Sequence, residues 1–415
     1  MKLLPSILFV VLVTVVSAKQ QRFDNYKVYE VKVSNEDHVN ILRSLERDTT
    51  DDYDFWNSPI VGRSADIMVA PEKTGDFEKM IENFGLDIDV KIPNLQDLID
   101  QETTRNVTIQ AEFGWETYHT LDEIYDWLDQ LLLDHPTILT PVTVGYTYEG
   151  REIRAVKLSH KEGNQAIVIE ATIHAREWIT SATATWILNE LLTSTDAEVV
   201  DIASNVDWYF IPVFNADGFV YTKTTNRLWR KTRYPHYKLC YGVDLNRNFD
   251  YQWMSVGASD NPCSETFGGP VAFSDPESRA LRDFYVERKE DIKVYLAFHS
   301  YGQYILSPWG YTYDHVHNYD QLMQIGNAAA DAIRVRYGTN YTVGSTAETL
   351  YFNSGSSRDY LKGAHDIDVS YTIEFRDTGR YGFVLPPEQI LPNSLEMFDG
   401  VKAIVRECRV LGYLN

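Results

Sequence analysis

The sequence predicts an α/β protein in which a mixed sheet is flanked by helices, with a small α+β unit ahead of it. Three observations predict this. Apolar strand-length segments alternate with helical ones from residue 118 to the C-terminus. The stretch before residue 105 has its own shorter strand and helix pattern. The 415 residues, 44% apolar and 24% charged, hold enough core for two or three domains.

Residues 24–92 read as strand, helix, strand, strand, helix, strand. Segment 26–33 alternates with period two, 36–47 has helical periodicity and 65–69 is apolar, while a helical stretch at 77–84 precedes a strand at 88–92. A charged connecting helix is expected over 94–104. It ends at Arg105, a basic residue that a trypsin-like protease could cut. Beyond it, 121–132 is an amphipathic helix, 154–158 and 166–173 are strands, 178–192 is a long helix and 206–214 a buried strand. Strands at 294–298 and 369–375 and helices at 320–337 and 392–411 continue the series. Active groups in such sheets sit beyond the carboxyl ends of the strands, which directs attention to the residues after Ile173 and Phe298.

Sixty acidic against 38 basic residues give a net charge of −22, a field that repels phosphate backbones and anionic membrane surfaces. Nucleic acid and membrane are therefore not expected as partners. Met1-Lys2, the apolar run 3–16 and Ser17-Ala18 read as a signal peptide over residues 1–18. No later stretch is apolar over the ~20 residues that a bilayer span needs. The expected product is a secreted, extracellular protein. There the three cysteines allow one bridge and one free thiol. Cys240 with Cys263, closing a loop rich in Gly, Asp and Asn, is the favoured pair, and Cys408 reads as a small buried hydrophobe. Sequons at Asn106 and Asn340 are possible glycosylation sites.

His174-Ala175-Arg176-Glu177 follows one apolar strand and His299 follows another. Two imidazoles and a carboxylate suffice for a four-coordinate zinc with one position left for water, the pattern of a catalytic site. Alone, His-x-x-Glu more often marks a charged helix start or satisfied polar groups than a metal site; the second histidine at an equivalent strand end brings the two readings level. In the strand 369–375, period two puts Ser370, Thr372 and Glu374 on the face opposite Val369, Tyr371, Ile373 and Phe375. A carboxylate in such a strand is costly unless something pairs with it. A water activated at a metal is one such partner; Arg376 is another. Arginines cluster at 227–233 and at Arg247, in segments expected at the rim of the sheet. One could clamp a carboxylate and another could stabilise an oxyanion, or each could be a surface charge or a structural ion pair.

Together, His174-x-x-Glu177, the run from Asn226 to Arg233, Asp244-x-Asn246-Arg247-Asn248, His299-Ser300-Tyr301, Tyr351 and Glu374-Phe375-Arg376-Asp377-Thr378-Gly379 resemble the zinc carboxypeptidases of the pancreatic A/B type. The resemblance runs the length of the chain. It implies the carboxypeptidase fold, with a mixed eight-stranded sheet, behind a ferredoxin-like pro-domain. His174, Glu177 and His299 would bind one zinc, Glu374 would be the general base and Arg230 would hold the oxyanion. Asn246, Arg247 and Tyr351 would grip the free C-terminal carboxylate of a peptide, and Arg176, Tyr301 and Phe383 would line positions for preceding residues. Cys240 and Cys263 match the disulfide of the family. The resemblance also implies a pro-segment, 19–105, that covers the cleft until a protease cuts near Arg105, freeing a catalytic domain over 106–415. A monomer is expected.

By the same resemblance, counting from Tyr351 would bring Arg358 to the base of the specificity pocket. Relatives that prefer apolar residues carry an aliphatic side chain there, and those that prefer Lys or Arg carry an acid. An arginine is similar to carboxypeptidase O and glutamate-preferring relatives, and a buried guanidinium would select a C-terminal Glu or Asp. Pairing of Arg358 with Asp359 would instead leave a neutral pocket and an A-like apolar or broad preference. An inactive, peptide-binding relative is the alternative from another class; loss of a ligand, base or clamp residue would signal it, and none is lost.

Overall fold

The computed structural model describes residues 20–47, 52–103 and 113–415. The expected signal peptide, Arg105 and the Asn106 sequon lie outside them. Among the described residues no helix is long and apolar enough to cross a membrane.

The N-terminal unit runs β1 (Lys27–Val33), α1 (Glu36–Arg47), β2 (Tyr53–Phe55), β3 (Arg63–Val69), α2 (Thr74–Asn83) and β4 (Asp87–Ile92). Its antiparallel sheet has the order β2-β3-β1-β4. The alternation read in residues 26–33 is the reason: Tyr29, Val31 and Val33 point to one face, where Val39 and Leu42 of α1 and Phe77 and Ile81 of α2 cover them. A connecting helix, α3 (Leu95–Thr103), leads out of this unit.

The larger unit starts with α4 (Leu121–Asp134), whose N-terminus is closed by a capping box between Thr120 and Glu123. It continues through β5 (Leu139–Tyr146), β6 (Glu152–Leu158), β7 (Ala166–Ala171), α5 (Trp178–Thr193), α6 (Ala197–Asn205), β8 (Asp207–Ile211) and α7 (Ala216–Thr224). A two-strand ribbon follows, β9 (Pro235–Tyr237) with β10 (Cys240–Tyr241), and then α8 (Pro276–Val286), β11 (Ile292–His299) and β12 (Tyr304–Ser307). The chain closes with α9 (Tyr319–Tyr337), β13 (Thr342–Ser345), α10 (Thr346–Thr349), α11 (Ser357–His365), β14 (Val369–Glu374) and α12 (Ile390–Val410).

These eight larger strands form one sheet in the order β13-β12-β14-β11-β7-β8-β6-β5. Its centre, β14-β11-β7-β8, is parallel, and antiparallel pairs flank it. Both faces are covered. Ile167, Ile169, Val294, Leu296 and Phe298 belong to one core, while Ala166, Val168, Tyr295 and Ala297 belong to the other. Burial on both sides is why the central strands read as continuous apolar runs.

Two strands end earlier than their apolar runs suggest. β7 stops at Ala171 because Thr172 takes a left-handed backbone (φ 61) and its N–H goes to Thr180 Oγ1 at 3.0 Å. β8 covers only Asp207–Ile211 of the expected 206–214. The connecting helix covers Leu95–Thr103 of the expected 94–104. Cys240 and Cys263 form the disulfide, and Cys408 is free and buried.

Candidate active site

The parallel order puts the carboxyl ends of β7, β11 and β14 side by side. The turn after β7 carries His174 and Glu177, the residue on which α5 begins. His299 is the last residue of β11, and Glu374, the last of β14, is its register partner. Residues 125 positions apart are thereby joined: His299 Nδ1 lies 3.2 Å from His174 Nδ1.

Glu177 completes the group, with Oε1 2.8 Å from His174 Nδ1 and Oε2 3.2 Å from His299 Nδ1. All three residues are buried, and their ligand atoms lie within 4.8 Å of one another. Bonds of about 2 Å in a tetrahedron set ligand atoms about 3.3 Å apart, so this donor set fits one zinc ion. The second nitrogen of His174, Nε2, donates to Asp244 Oδ1 at 3.0 Å, which turns Nδ1 toward the site. Burial alone would raise the Glu177 carboxyl, yet His174 and His299 bring it well below the usual carboxylate range. Asp244 is likewise brought low against its burial, by Arg230, Arg247 and His174. Burial lowers His299, which favours the neutral, ligating imidazole.

Glu374 lines the same cavity as these three residues. Its partner is not Arg376, whose Nε donates to Glu396 at 2.6 Å. Burial, with the Glu177 charge nearby, pushes the Glu374 carboxyl well above its ordinary range. Arg230 reaches Asp244 at 2.9 Å and Glu177 at 3.9 Å, and it faces the cavity beside the histidines.

Asn246 and Arg247 come from a short helical turn, Leu245–Arg247, started by Asp244, which accepts from the Asn246 N–H at 2.9 Å. Asn246 Oδ1 accepts from the Ser357 N–H at 3.0 Å, leaving its NH₂ for the cavity. The Arg247 guanidinium is anchored on the carbonyls of Gly257 and Asn246, both at 2.8 Å, and lies 5.9 Å from the Tyr351 ring. Arg358, at the start of α11, is 1% exposed and lines the cavity. Its Nε donates to Asp359 at 2.9 Å and Nη1 to Thr372 Oγ1 at 3.1 Å. Tyr301 and Phe383 also line this cavity. Arg176 stacks on Phe383, 4.0 Å above the ring, and faces an adjoining larger cleft of about 630 Å³.

The N-terminal unit roofs the whole site. Trp56 and Asn57 enter the cavity itself. Trp56 packs edge-on against Tyr301 and Phe383, Asp54 accepts from Arg176 at 2.7 Å, and Tyr301 donates to Asp66 at 2.7 Å. Arg227 is no rim residue: it is buried in a bidentate pair with Glu102 of α3, both contacts 2.6 Å. Three supports escaped the sequence reading. Asp244 was visible only as the start of a motif. Tyr295 and Glu170 form a buried chain behind Asn246, with the Tyr295 hydroxyl 3.0 Å from both Ser357 Oγ and Glu170 Oε2. A glutamate inside the apolar strand Ala166–Ala171 was the signal that could have revealed it.

Comparisons with known proteins agree with this geometry. A family model described as zinc carboxypeptidase matches residues 124–400, and one described as carboxypeptidase activation peptide matches 29–102. A zinc carboxypeptidase of Simulium vittatum is 52% identical over 300 residues, 72% of this chain and 99% of its own length. Zinc carboxypeptidase A 1 of Anopheles gambiae is 39% identical over 409 residues, 98% of this chain and 94% of its own. The crystal structure of carboxypeptidase A from Helicoverpa armigera superposes with a TM-score of 0.85 at 30% identity, covering 94% of this chain and 98% of that one.

Proposed function

This chain belongs to the zinc carboxypeptidase family, and from that premise we propose that it is a secreted zymogen whose mature form removes acidic residues from the C-termini of peptides. Residues 19–105 act as the pro-segment, 106–415 as the hydrolase, and a trypsin-like protease separates them at or near Arg105. The active form is a monomer that binds one zinc through His174, Glu177 and His299. Bound there, zinc polarises a carbonyl and acidifies a water.

The residues of the chain divide the remaining work. Asn246, Arg247 and Tyr351 hold the terminal carboxylate of the peptide, which restricts cleavage to the last bond. Glu374, kept basic enough by burial to accept a proton, takes it from the attacking water and delivers it to the leaving amine. Arg230 meets the negative charge that grows on the carbonyl oxygen as the bond is attacked, so its interaction strengthens toward the transition state. Arg176, Tyr301 and Phe383 receive the preceding residues.

One observation carries the acidic preference: Arg358 stands in the wall of the cavity that also holds the metal ligands and Glu374. A guanidinium there offers charge-assisted bonds to the side chain of Glu or Asp. A second reading, an A-like apolar or broad preference, draws on the Arg358–Asp359 pair, which offsets that charge. The deciding experiment compares peptides ending in Glu, Phe and Lys on trypsin-treated protein, with and without a chelator, for the parent, Arg358→Ile and Arg358→Asp. Loss of Glu selectivity in both variants is expected; unaltered discrimination against Phe would refute the acidic assignment, and zinc-independent turnover would refute the metal.

A further inference from the structure

Arg233 is a cation with no paired anion among the described residues. Arg227 is met by Glu102 and two carbonyls and Arg376 by Glu396 and Gln389, while Arg176 and Arg230, whose Nε atoms are likewise unpartnered, each reach a carboxylate, Asp54 and Asp244. Arg233 has no carboxylate within ion-pair distance and no hydrogen-bond acceptor among the described residues, and its Nε is buried and unpartnered. An unsatisfied buried donor is costly, and native structures rarely keep one without a use.

Its surroundings are a built site. The guanidinium carbon lies 3.6 Å from the centre of the Tyr221 ring, 4.4 Å from Trp229 and 4.8 Å from Tyr241. Three aromatic faces hold a cation in place without neutralising it, so its edge stays available for an anion. The cage is fixed in turn. The Trp229 indole donates to the Lys231 carbonyl at 2.6 Å, and Tyr241 follows Cys240, which is bonded to Cys263.

All four residues line the 630 Å³ cleft that also contains Arg176, Arg230 and Arg247. Arg233 thus stands on the same wall as the residues read above as peptide-binding, three positions after Arg230. In the uncut chain the N-terminal unit sends an acid into this cleft, Asp54 onto Arg176. A carboxylate is therefore tolerated there despite a net charge of −22.

We propose that Arg233, caged by Tyr221, Trp229 and Tyr241, is a distal anion subsite that binds an acidic side chain of the peptide upstream of the bond to be cut. The proposal rests on the exopeptidase reading above. Together with Arg358 it makes the substrate class peptides with several acidic residues near the C-terminus, not only one at the end.

The test uses trypsin-treated full-length protein and hexapeptides that share one C-terminal residue, whichever a terminal-residue panel shows to be cleaved best. Each upstream position carries Gln or, in turn, Glu. One position is expected to show a Glu/Gln ratio in kcat/KM of about fivefold, residing in KM, the size of an ion pair at a partly exposed site. That ratio should fall to near one in Arg233→Met, persist in part in Arg233→Lys, and shrink with added salt in the parent protein. A ratio near one at every position, or a ratio that survives both Arg233→Met and salt, overturns the subsite. Because the terminal residue is chosen by the panel, failure of the acidic preference at Arg358 is read separately from failure at Arg233, and the salt series stands even if a variant does not fold.

Discussion

Asp244 and His174 are joined by a 3.0 Å bond from imidazole Nε2 to carboxylate Oδ1, and the same carboxylate receives Arg230 and the backbone of Asn246. One buried acid thus orients the imidazole proposed to ligate zinc, the guanidinium proposed to hold the oxyanion and the loop proposed to clamp the substrate carboxylate. Asp244→Asn keeps the shape and removes the charge. Zinc affinity, measured by competition with a chelating dye, should fall about 10- to 100-fold, the usual cost of losing a partner behind a ligating histidine. Unchanged affinity would mean that packing alone orients His174.

Asp359 both neutralises Arg358 and accepts the Gly310 N–H at 2.8 Å. Asp359→Asn retains a carbonyl for Gly310 and leaves the guanidinium charge unopposed. Selectivity for a C-terminal Glu over Phe should rise by about fivefold or more in kcat/KM, in keeping with a charge-assisted bond worth ~1–2 kcal/mol more. A fall in that ratio would show that Asp359 positions Arg358 more than it screens it.

Glu102 sits in the connecting helix yet is bonded on both oxygens to Arg227, which also holds the carbonyls of Arg176 and Phe383 and stacks 3.6 Å from Trp178. Glu102→Gln weakens the grip of the pro-segment without creating a void. Losing a charged hydrogen bond costs ~2 kcal/mol, about 30-fold. Activity of the uncut chain, relative to the same sample after trypsin, should rise accordingly. No rise would place the inhibitory grip elsewhere, with Trp56 and Asp54.

Glu170 is fully buried and pushed up to about 8 by desolvation. It is protonated in the folded chain at neutral pH but ionised in the unfolded one. The stability of the neutral form is complete below about 4.5 and is lost as pH rises through about 8. Glu170→Gln mimics the protonated carboxyl and removes this slope. Between pH 6 and pH 8.5 the Tm of the parent should fall by a few °C more than that of the variant, the reflection of ~1–3 kcal/mol. Parallel curves would show that Glu170 titrates normally.

The strand and helix series was legible where periodicity is strong. The helix over 36–47 coincides with α1, and the residues after the runs ending at Ile173 and Phe298 do carry the clustered histidines. Short or mixed elements were not legible: β12 and β13 are four residues each, and α11 buries Arg358, Asp359 and Lys362 where an amphipathic pattern would show apolar groups. The pairing of Arg227 with Glu102 was hidden for another reason. Nothing local tells a paired arginine from a solvated one when its partner lies 125 positions away.

Residue order by itself determined the alternating architecture, because periodicity is a local property of a chain, and it favoured the Cys240–Cys263 bridge. The candidate ligands, base and clamp followed from the resemblance of the sequence motifs to the zinc carboxypeptidases. Only the tertiary structure decided which of these groups meet. The parallel register of β7, β11 and β14 sets His174, Glu177 and His299 within bonding distance and leaves Glu374 at the same edge. Distances between residues far apart in sequence depend on how a twisted sheet is stacked and covered, a property of packing that local sequence does not encode.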